Sequence, residues 1–276
     1  MSTPAIPLFK DFDKPVSEIF NDDYDLKYTL KIKSTAPYDS SITTNTTYDP
    51  SNVASKLSTK LSLKSEVKSA GFTIEKLEVG VDGHLAVETS LSKAFEGLKL
   101  EFKGDDKKKG DLSFQYKNPI IVATGEIDAV GINVAKGSIT SGKGPIFVGG
   151  CADFNLAQTK VDKVSVGIAY KIPNVYAVLR SDKTFSEISG LVSYKINNFT
   201  LAAKGTYDKK LNSTIFNLGS FYKCNTNCYV KAKISSTGIL NASYKQIFEK
   251  KLQVVSSLEL PSKLDSLKWG IAATLG

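Results

Sequence analysis

Apolar and polar residues alternate with a period of two along most of this chain, and this alternation constrains the fold more than any other feature. The stretch LKYTLKIK (26–33) places one aromatic and three aliphatic side chains on one parity, and lysine or threonine on the other. Because successive side chains of a β-strand point to opposite faces, such a stretch forms a ribbon with one apolar side and one cationic side. The pattern predicts an all-β chain of about nineteen strands, with the parity of residues 120–139 left ambiguous. It recurs, with turn formers between the repeats, in KLSTKLSLK (56–64), LKLEFK (98–103), VSVGIAYK (164–171) and ISGLVSYK (188–195).

The first residues depart from this alternation. In PLFKDFDKPVSEIF (7–20) the large apolar residues fall at intervals of three and four, which is the stripe of an amphipathic helix. Pro15 has no backbone N–H to donate, so a break is expected near residues 13–14. We expect residues 1–25 to form an amphipathic helix and linker, and residues 26–276 to form one continuous β-barrel. The stripe residues are Phe9, Phe12, Val16, Ile19 and Phe20.

Alternation by itself fits a soluble sheet and a membrane barrel equally well, because each has one apolar and one polar face. No run of about 18 apolar residues occurs, so a transmembrane helix is not expected. Segments close to the roughly 9 to 11 residues that cross a bilayer as a tilted strand favour a membrane barrel, and closure would remove the edges of so large a sheet. The N-terminal residues lack the apolar stretch of a secretory signal, so a bacterial outer-membrane protein is not expected.

The chain carries 36 Lys and Arg against 28 Asp and Glu, a formal net charge of +8. Such a balance favours anionic partners: nucleic acid, lipid headgroups or small anions. Nucleic acid is disfavoured, because Tyr28, Phe102 and Tyr170 lie on the parity opposite their neighbouring lysines, where they cannot stack on bases beside them. The partners expected are therefore membrane lipid and small anions and nucleotides in transit.

No residue pattern indicates catalysis or a cofactor. GSITSGKG (137–144) approaches a phosphate-binding loop, but Gly144 stands where Ser or Thr would hold magnesium, and a strand follows where a helix is needed. The single histidine, His84, and the neighbouring cysteines Cys224 and Cys228 do not make a zinc site. No nucleophile elbow or paired-histidine motif occurs. We expect a non-enzymatic protein without cofactor or bound metal.

Four segments together resemble one known family, the eukaryotic mitochondrial porins or voltage-dependent anion channels. The resemblance implies a transmembrane antiparallel β-barrel of about nineteen strands, a total that also guided the strand count above, with the amphipathic helix inside the lumen. It further implies the mitochondrial outer membrane as location. The segments are PLFKDFDKPVSEIFNDDYDLKYTLKIKS (7–34), FEGLKLEF (95–102), VSVGIAYKIPNVYAVLRSDKTFSEISGLVSYKI (164–196) and KWGIAATL (268–275).

Two segments differ from the family pattern. The linker NDDYD (21–25) replaces the glycines that usually follow the helix, so whether the helix docks in the lumen stays open at this point. The acidic, lipid-facing residue that some members carry on the fourth strand falls near Leu77, with Glu75 and Glu78 as neighbours. Because the inward positions of the predicted barrel are mostly polar, we expect few apolar contacts for the helix and marginal docking.

The polar faces of the strands and of the helix supply the candidate site. Lysines on these faces are expected to line the pore and to concentrate anions by their field. The five stripe residues are expected to form a gating helix. The resemblance implies weak nucleotide contacts at Lys14, Gly97, Leu98 and Lys99, because the GLK motif has been linked to nucleotides in the family. The pore-lining candidates are Lys10, Lys14, Lys27, Lys31, Lys33, Lys56, Lys60, Lys64, Lys99 and Lys103.

These expectations describe a voltage-dependent, anion-selective channel of the mitochondrial outer membrane that passes small anions and metabolites such as ATP, ADP and phosphate by diffusion. Assembly into a homo-oligomer is left open. Two alternatives remain: the pore subunit of the outer-membrane protein translocase, and a soluble all-β binding protein for acidic ligands. A cationic lumen argues against a pore for basic presequences, and detergent dependence would separate either pore from the soluble protein.

Overall fold

The computed structural model describes residues 5–276 apart from 38, 52–56, 68–70, 108, 250 and 263–265, and leaves out the side chains of 93 and 94. The predicted pore-lining residue Lys56 lies outside the described residues. In the ranges that are described, no helix is long and apolar enough to cross a membrane.

The N-terminal segment forms two short helical pieces. A 3-10 turn covers Phe9–Asp11, and an α-helix, α1, covers Lys14–Asn21. The break between them lies where Pro15 predicts it, because Pro15 occupies the first turn of α1, where its missing N–H costs no helical hydrogen bond. After the helix, Asp23 adopts a positive φ of 68°, which turns the chain toward the barrel wall.

Nineteen strands follow in the described ranges, each close to the length that alternation predicts. They are β1 Tyr28–Ala36, β2 Ser40–Tyr48, β3 Leu57–Val67, β4 Phe72–Gly80, β5 Leu85–Phe95, β6 Leu98–Asp105, β7 Gly110–Lys117, β8 Ile121–Asp128, β9 Val134–Lys143, β10 Ile146–Asn155, β11 Lys160–Lys171, β12 Val175–Asp182, β13 Glu187–Ile196, β14 Phe199–Asp208, β15 Ser213–Asn225, β16 Cys228–Ser235, β17 Leu240–Phe248, β18 Leu252–Leu260 and β19 Lys268–Leu275.

Each strand pairs with its sequence neighbours, and β1 pairs with β19 to close the sheet into a barrel. Consecutive strands are antiparallel, whereas the β1–β19 pairing is parallel and runs from Tyr28–Ile271 to Ile32–Leu275. An odd number of alternating strands leaves the first and last pointing the same way, so a parallel closure is unavoidable. The prediction of a closed barrel is confirmed, with this one pairing departing from the antiparallel rule.

Burial is inverted relative to a soluble protein. Large apolar side chains on one parity face outward and are exposed, among them Leu61 at 49%, Val148 at 55% and Leu218 at 60%. Charged and hydroxyl side chains on the other parity point into the lumen, where Glu78 and Lys231 are buried. An apolar exterior around a polar interior is the arrangement of a transmembrane barrel.

In the stretch whose parity was ambiguous, residues 120–139, the strands β8 and β9 have their even-numbered positions in the lumen. Val122 is buried there, and the Thr124 and Ser138 hydroxyls lie 2.7 Å apart between β8 and β9. Ile139, on the opposite parity, is exposed on the outside. Small and β-branched residues occupy both parities of this stretch, which explains why the sequence pattern does not decide it.

Candidate functional site: the lumen and its helix

The N-terminal helix lies inside the barrel, along the wall formed by β9 to β16. Its apolar stripe is buried; Phe12 and Val16 are inaccessible to solvent. The expectation that the helix would find few apolar contacts is wrong, because this side of the lumen carries an apolar strip at inward positions. The strip consists of Phe147, Ala169, Tyr176, Val178, Leu191 and Ala202, with Phe221 and Cys151 at its margin.

Three inward glycines let the helix approach the wall closely. A Cβ atom at Gly149 would lie 3.0 Å from the Phe9 ring, and one at Gly167 would lie 3.3 Å from it. At Gly219, a Cβ would lie 2.8 Å from the Phe20 ring. Any larger residue at these positions would push the two aromatic rings away from the strands.

Polar contacts fix the N-terminal half of the segment. The Tyr176 hydroxyl donates a 2.6 Å hydrogen bond to the Phe12 carbonyl, which has no helical partner at the break. The Arg180 guanidinium lies 4.7 Å from the centre of the Phe9 ring, within cation–π range, and 3.5 Å from an Asp13 carboxylate oxygen.

Two lysines of β16 hold the C-terminal end of α1. Lys231 Nζ donates to the Glu18 carbonyl at 2.9 Å and to the Asp22 carbonyl at 3.3 Å. Lys233 Nζ donates to the Phe20 carbonyl at 2.6 Å. The last carbonyls of a helix lack intrahelical donors and carry the negative end of its dipole, so cations satisfy both.

The linker adds a charged anchor, which we call the Asp23 latch and which consists of Asp23, Tyr229, Lys231 and Lys245. The Asp23 carboxylate lies 3.0 Å from Lys231 Nζ and 3.7 Å from Lys245 Nζ, and it accepts a 2.8 Å hydrogen bond from Tyr229. Burial raises the pKa of Asp23, but hydrogen bonds from Lys231 and Tyr229 and the charges of both lysines outweigh burial and lower it. The open question of docking is therefore answered: the acidic linker binds the wall.

Sequence reasoning missed the latch, because no local pattern distinguishes its lysines from other inward-facing lysines. CYVKAKIS (228–235) alternates like other strands, so Lys231 and Lys233 read as two more pore lysines. Only the fold brings them next to a linker more than 200 residues earlier in the chain.

The opposite wall, β1 to β6, is rich in lysine and opens onto a cavity of about 600 Å³. Many of these lysines are paired with glutamates. Lys64 lies 2.7 Å from Glu75, and Lys99 lies 3.2 Å from Glu75 and 2.8 Å from Glu101. Further pairs among the described residues are Lys60 with Glu78, Lys76 with Glu78 and Lys103 with Glu88.

One of these glutamates, Glu75, enters the lumen through a bulge in β4. The register shifts between Ile74 and Lys76, so Glu75 turns inward and pairs there. Leu77 shares the outward parity of Val79 and lies on the apolar surface. Glu75 and Glu78 are thus lumenal counter-charges, and neither occupies a lipid-facing position.

The remaining candidates are spread over the lumen and its rim. Lys10 borders a cavity that also contains Lys103, and Lys14, the first residue of α1, is exposed. Lys27 pairs with Asp49 at 3.1 Å beside the start of β1. Lys31 and Lys33 line the cavity of the lysine-rich wall.

The three residues of the GLK motif do not lie on one face of the barrel wall. Gly97 has a φ of 77° in the turn between β5 and β6, and a Cβ there would collide with the Lys117 carbonyl. Leu98 shares the outward parity of Phe102, and Lys99 points into the lumen. A nucleotide contact stays a prediction, and Lys99 is the member of the motif that faces the pore.

A family model described as "eukaryotic porin" matches residues 5–270. The chain belongs to the eukaryotic porin family. Together with the closed barrel and its polar interior, membership makes this porin a non-enzymatic, pore-forming channel that is embedded in a membrane and passes small solutes. The soluble all-β alternative is therefore abandoned.

Named relatives extend over most of this porin. It is 23% identical over 269 residues to the "non-selective voltage-gated ion channel VDAC2" of Meleagris gallopavo, with 93% of this chain and 88% of the relative covered. It is 23% identical over 273 residues to the "mitochondrial outer membrane protein porin" of Candida albicans, with 94% and 93% covered. Among solved structures, a triple mutant of Rhodopseudomonas blastica porin matches with a TM-score of 0.50 at 9% identity, covering 90% of this chain and 95% of that one. This last likeness concerns the fold alone.

Proposed function

We propose that this porin is a voltage-dependent, weakly anion-selective channel of the mitochondrial outer membrane that passes ATP, ADP and phosphate by diffusion. The observation that carries the anion preference is the pair Lys31 and Lys33, which face the lumen and have no acidic partner in the part of the chain that the structure describes. Support for location and voltage dependence comes from the names of the relatives from Candida albicans and Meleagris gallopavo.

The preference is weak because most other lumenal lysines of this wall already have counter-charges. An ammonium next to a carboxylate, as in the Lys60–Glu78 and Lys64–Glu75 pairs, contributes little field at a distance. The unpaired lysines raise the local concentration of anions without forming a tight site, so transport stays fast. The stripe on the docked segment, with Phe12 and Val16 at its centre, is proposed as the gating element.

The test is a reversal potential in a planar bilayer under a potassium chloride gradient. We expect anion preference in dilute salt that declines as salt rises, because exposed charges are screened over about 8 Å at physiological ionic strength. Replacing Lys31, Lys60 and Lys99 together by Glu should move the reversal potential toward cations. Lys209→Glu, on an exposed turn between β14 and β15, is the control and should leave it unchanged. Cation preference of the unmodified porin in dilute salt would contradict the proposal.

A further inference from the structure

The unpaired lysines of β1 lie in a part of the wall where the three paired strands β1, β2 and β19 carry no acidic side chain. Lys31 lies opposite Asn45 on β2 and beside Thr274 on β19. Lys33 lies opposite Thr43. Every inward neighbour of these two ammonium groups on β2 and β19 is uncharged, whereas the lysines of β6 sit among glutamates. An anion approaching β1 therefore meets positive charge without competition.

The strand next to β1 adds a row of hydrogen-bond donors. Strand β2 has no charged residue, and its inward positions between the rims are Ser41, Thr43, Asn45 and Thr47. On its other side, β3 places Lys60 opposite Asn45 and Lys64 opposite Ser41. We call this three-strand surface the β1–β3 lane.

The dimensions of the lane suit a short chain of phosphates. Neighbouring strands lie about 4.8 Å apart, so the lysine rows of β1 and β3 are separated by about 10 Å with hydroxyl groups between them. Each ammonium has three N–H donors, and Lys64 uses one of them on Glu75 at 2.7 Å. Phosphate oxygens form charge-assisted hydrogen bonds with such ammonium groups and ordinary ones with hydroxyls.

Asp39 and Asp49 flank β2, and Glu66 lies near the end of β3, so these three acidic residues are at the ends of the lane. The acidic residues that contact its middle are on the β4 side. Glu75 and Glu78 belong to β4 and approach Lys60 and Lys64 from beyond β3. A polyanion would therefore settle toward β1 and β2, and its far end would reach the β3 lysines. The lane is asymmetric, with its strongest anion-binding edge at Lys31 and Lys33.

Aromatic side chains are missing from the inward face of the lane. Tyr28 and Tyr48 lie on the outward parity, where Tyr28 packs edge-on against Trp269 at 5.0 Å. A nucleobase over the lane would find no ring to stack on. Recognition would therefore depend on the phosphates.

We propose that the β1–β3 lane is a binding site for chains of two or three phosphates, recognised through the phosphates and independently of any base or sugar. The proposal rests on the anion-channel function above and names the chemistry by which one part of the lumen retains phosphorylated metabolites. A transient stay of this kind slows a phosphate chain relative to chloride.

The experiment measures block of the chloride current by sodium tripolyphosphate and by ATP in planar bilayers. Both should block, with half-blocking concentrations within about threefold of each other, whereas adenosine should not block. In the double variant Lys31→Gln, Lys33→Gln the half-blocking concentration of each should rise at least about tenfold, as expected for the loss of two charge-assisted contacts. The variant Lys31→Arg, Lys33→Arg keeps both charges and should keep the block.

A matched control removes two inward lysines elsewhere, in the double variant Lys195→Gln, Lys204→Gln on β13 and β14. It should change the half-blocking concentration by less than about threefold. An equal rise of the half-blocking concentration in the two double variants would mean that the overall positive field of the lumen causes the block. That result would overturn the proposal of a binding site in the lane. ATP blocking far better than tripolyphosphate would overturn base independence. The reversal potential of the unmodified porin separates the two proposals: anion preference there, together with equal block in all variants, leaves the channel function standing and removes the lane alone.

Discussion

The carboxylate of Asp23 lies between three side chains of the barrel wall and joins the helix to strands near the other end of the sequence. Lys231, its nearest cation, is almost fully buried and also holds the helix carbonyls of Glu18 and Asp22. Removing one partner of a buried ion pair leaves the other charge unpaired, which costs more than the pair contributes. The Asp23 latch is therefore the residue-scale feature to which docking of the helix is most sensitive.

Replacing Asp23 by Asn should loosen α1 without unfolding the barrel. The loss of hydrogen bonds to charged groups is worth roughly 1.5 to 3 kcal/mol, so amide protection in residues 14–21 should fall about tenfold or more. Hydrogen–deuterium exchange of the reconstituted porin gives the measurement. Asp22→Asn is the control, because the Asp22 side chain is exposed and only its carbonyl contacts Lys231. Equal protection in both variants would show that the Asp23 charge does not hold the helix.

The latch should also be insensitive to pH across the physiological range. The pKa of Asp23 is lower in the folded protein than its ordinary value of 3.8, so the stabilisation is complete above that value and is lost as pH falls through the folded pKa. Protection of α1 should therefore stay constant from about pH 8 to pH 5 and drop only in stronger acid. Exchange rates corrected for intrinsic pH dependence test this, and loss of protection near neutral pH would contradict it.

At the scale of elements, the helix docks because the wall has room for its rings. Gly219→Val should displace the C-terminal half of α1, since even a Cβ atom there lies 2.8 Å from the Phe20 ring and 3.1 Å from Ile19. We expect more open-channel noise and faster amide exchange in α1. Gly190→Val is the control on β13, because Gly190 faces outward like its β12 partner Leu179 and a Cβ there meets nothing within 4 Å. The two variants behaving alike would exclude a role for the glycine contact.

The sequence predicts the helix and the strands better than it predicts the contacts between them. The stripe of α1, its break before Pro15 and the strand parities follow from local periodicity, which the chain obeys nearly everywhere. The apolar strip that receives the helix was not foreseen, because Val178 and Leu191 read as ordinary strand residues whose parity is set by distant neighbours. The bulge that turns Glu75 inward was not foreseen either, although the apolar residues change parity there, from Phe72 and Ile74 to Leu77 and Val79.

At the scale of the whole molecule, closure depends on its one parallel pairing. The β1–β19 ladder runs only from Tyr28–Ile271 to Ile32–Leu275, whereas β10 and β11 pair from Ile146–Tyr170 to Asn155–Lys160. Parallel pairs are slightly less stable per residue than antiparallel ones, and this ladder is also short.

Amides of β19 should therefore exchange faster than those of β10 and β11 in the bilayer-reconstituted porin. Hydrogen–deuterium exchange resolved by peptide gives the comparison, with α1 followed in the same experiment as an internal reference. Slower exchange at β19 than at β10 would mean that contacts outside the ladder, such as the packing of Asp25 and Leu26 against Gly270, dominate closure.

For the charge of the lumen as a whole, the sequence predicts only the sign. The sequence indicates a cationic lumen, and the lysines do point inward, but their pairing with glutamates depends on registers across β3 to β6 that no local pattern encodes. Carboxylates therefore cancel much of the field that a count of lysines implies, and Lys31 and Lys33 stand out only once the neighbours of β1 are known.

The odd strand number also determines sidedness. Since β1 and β19 run in the same direction, the chain enters the barrel wall at Tyr28 from one rim and leaves it after Leu275 at the other. A label fused to Gly276 would face the compartment opposite to the one from which the linker enters β1. A membrane-impermeant protease applied from a single side would therefore remove that label in one orientation of the inserted barrel and spare it in the other, so a single cleavage assay reports which way the channel points across its membrane.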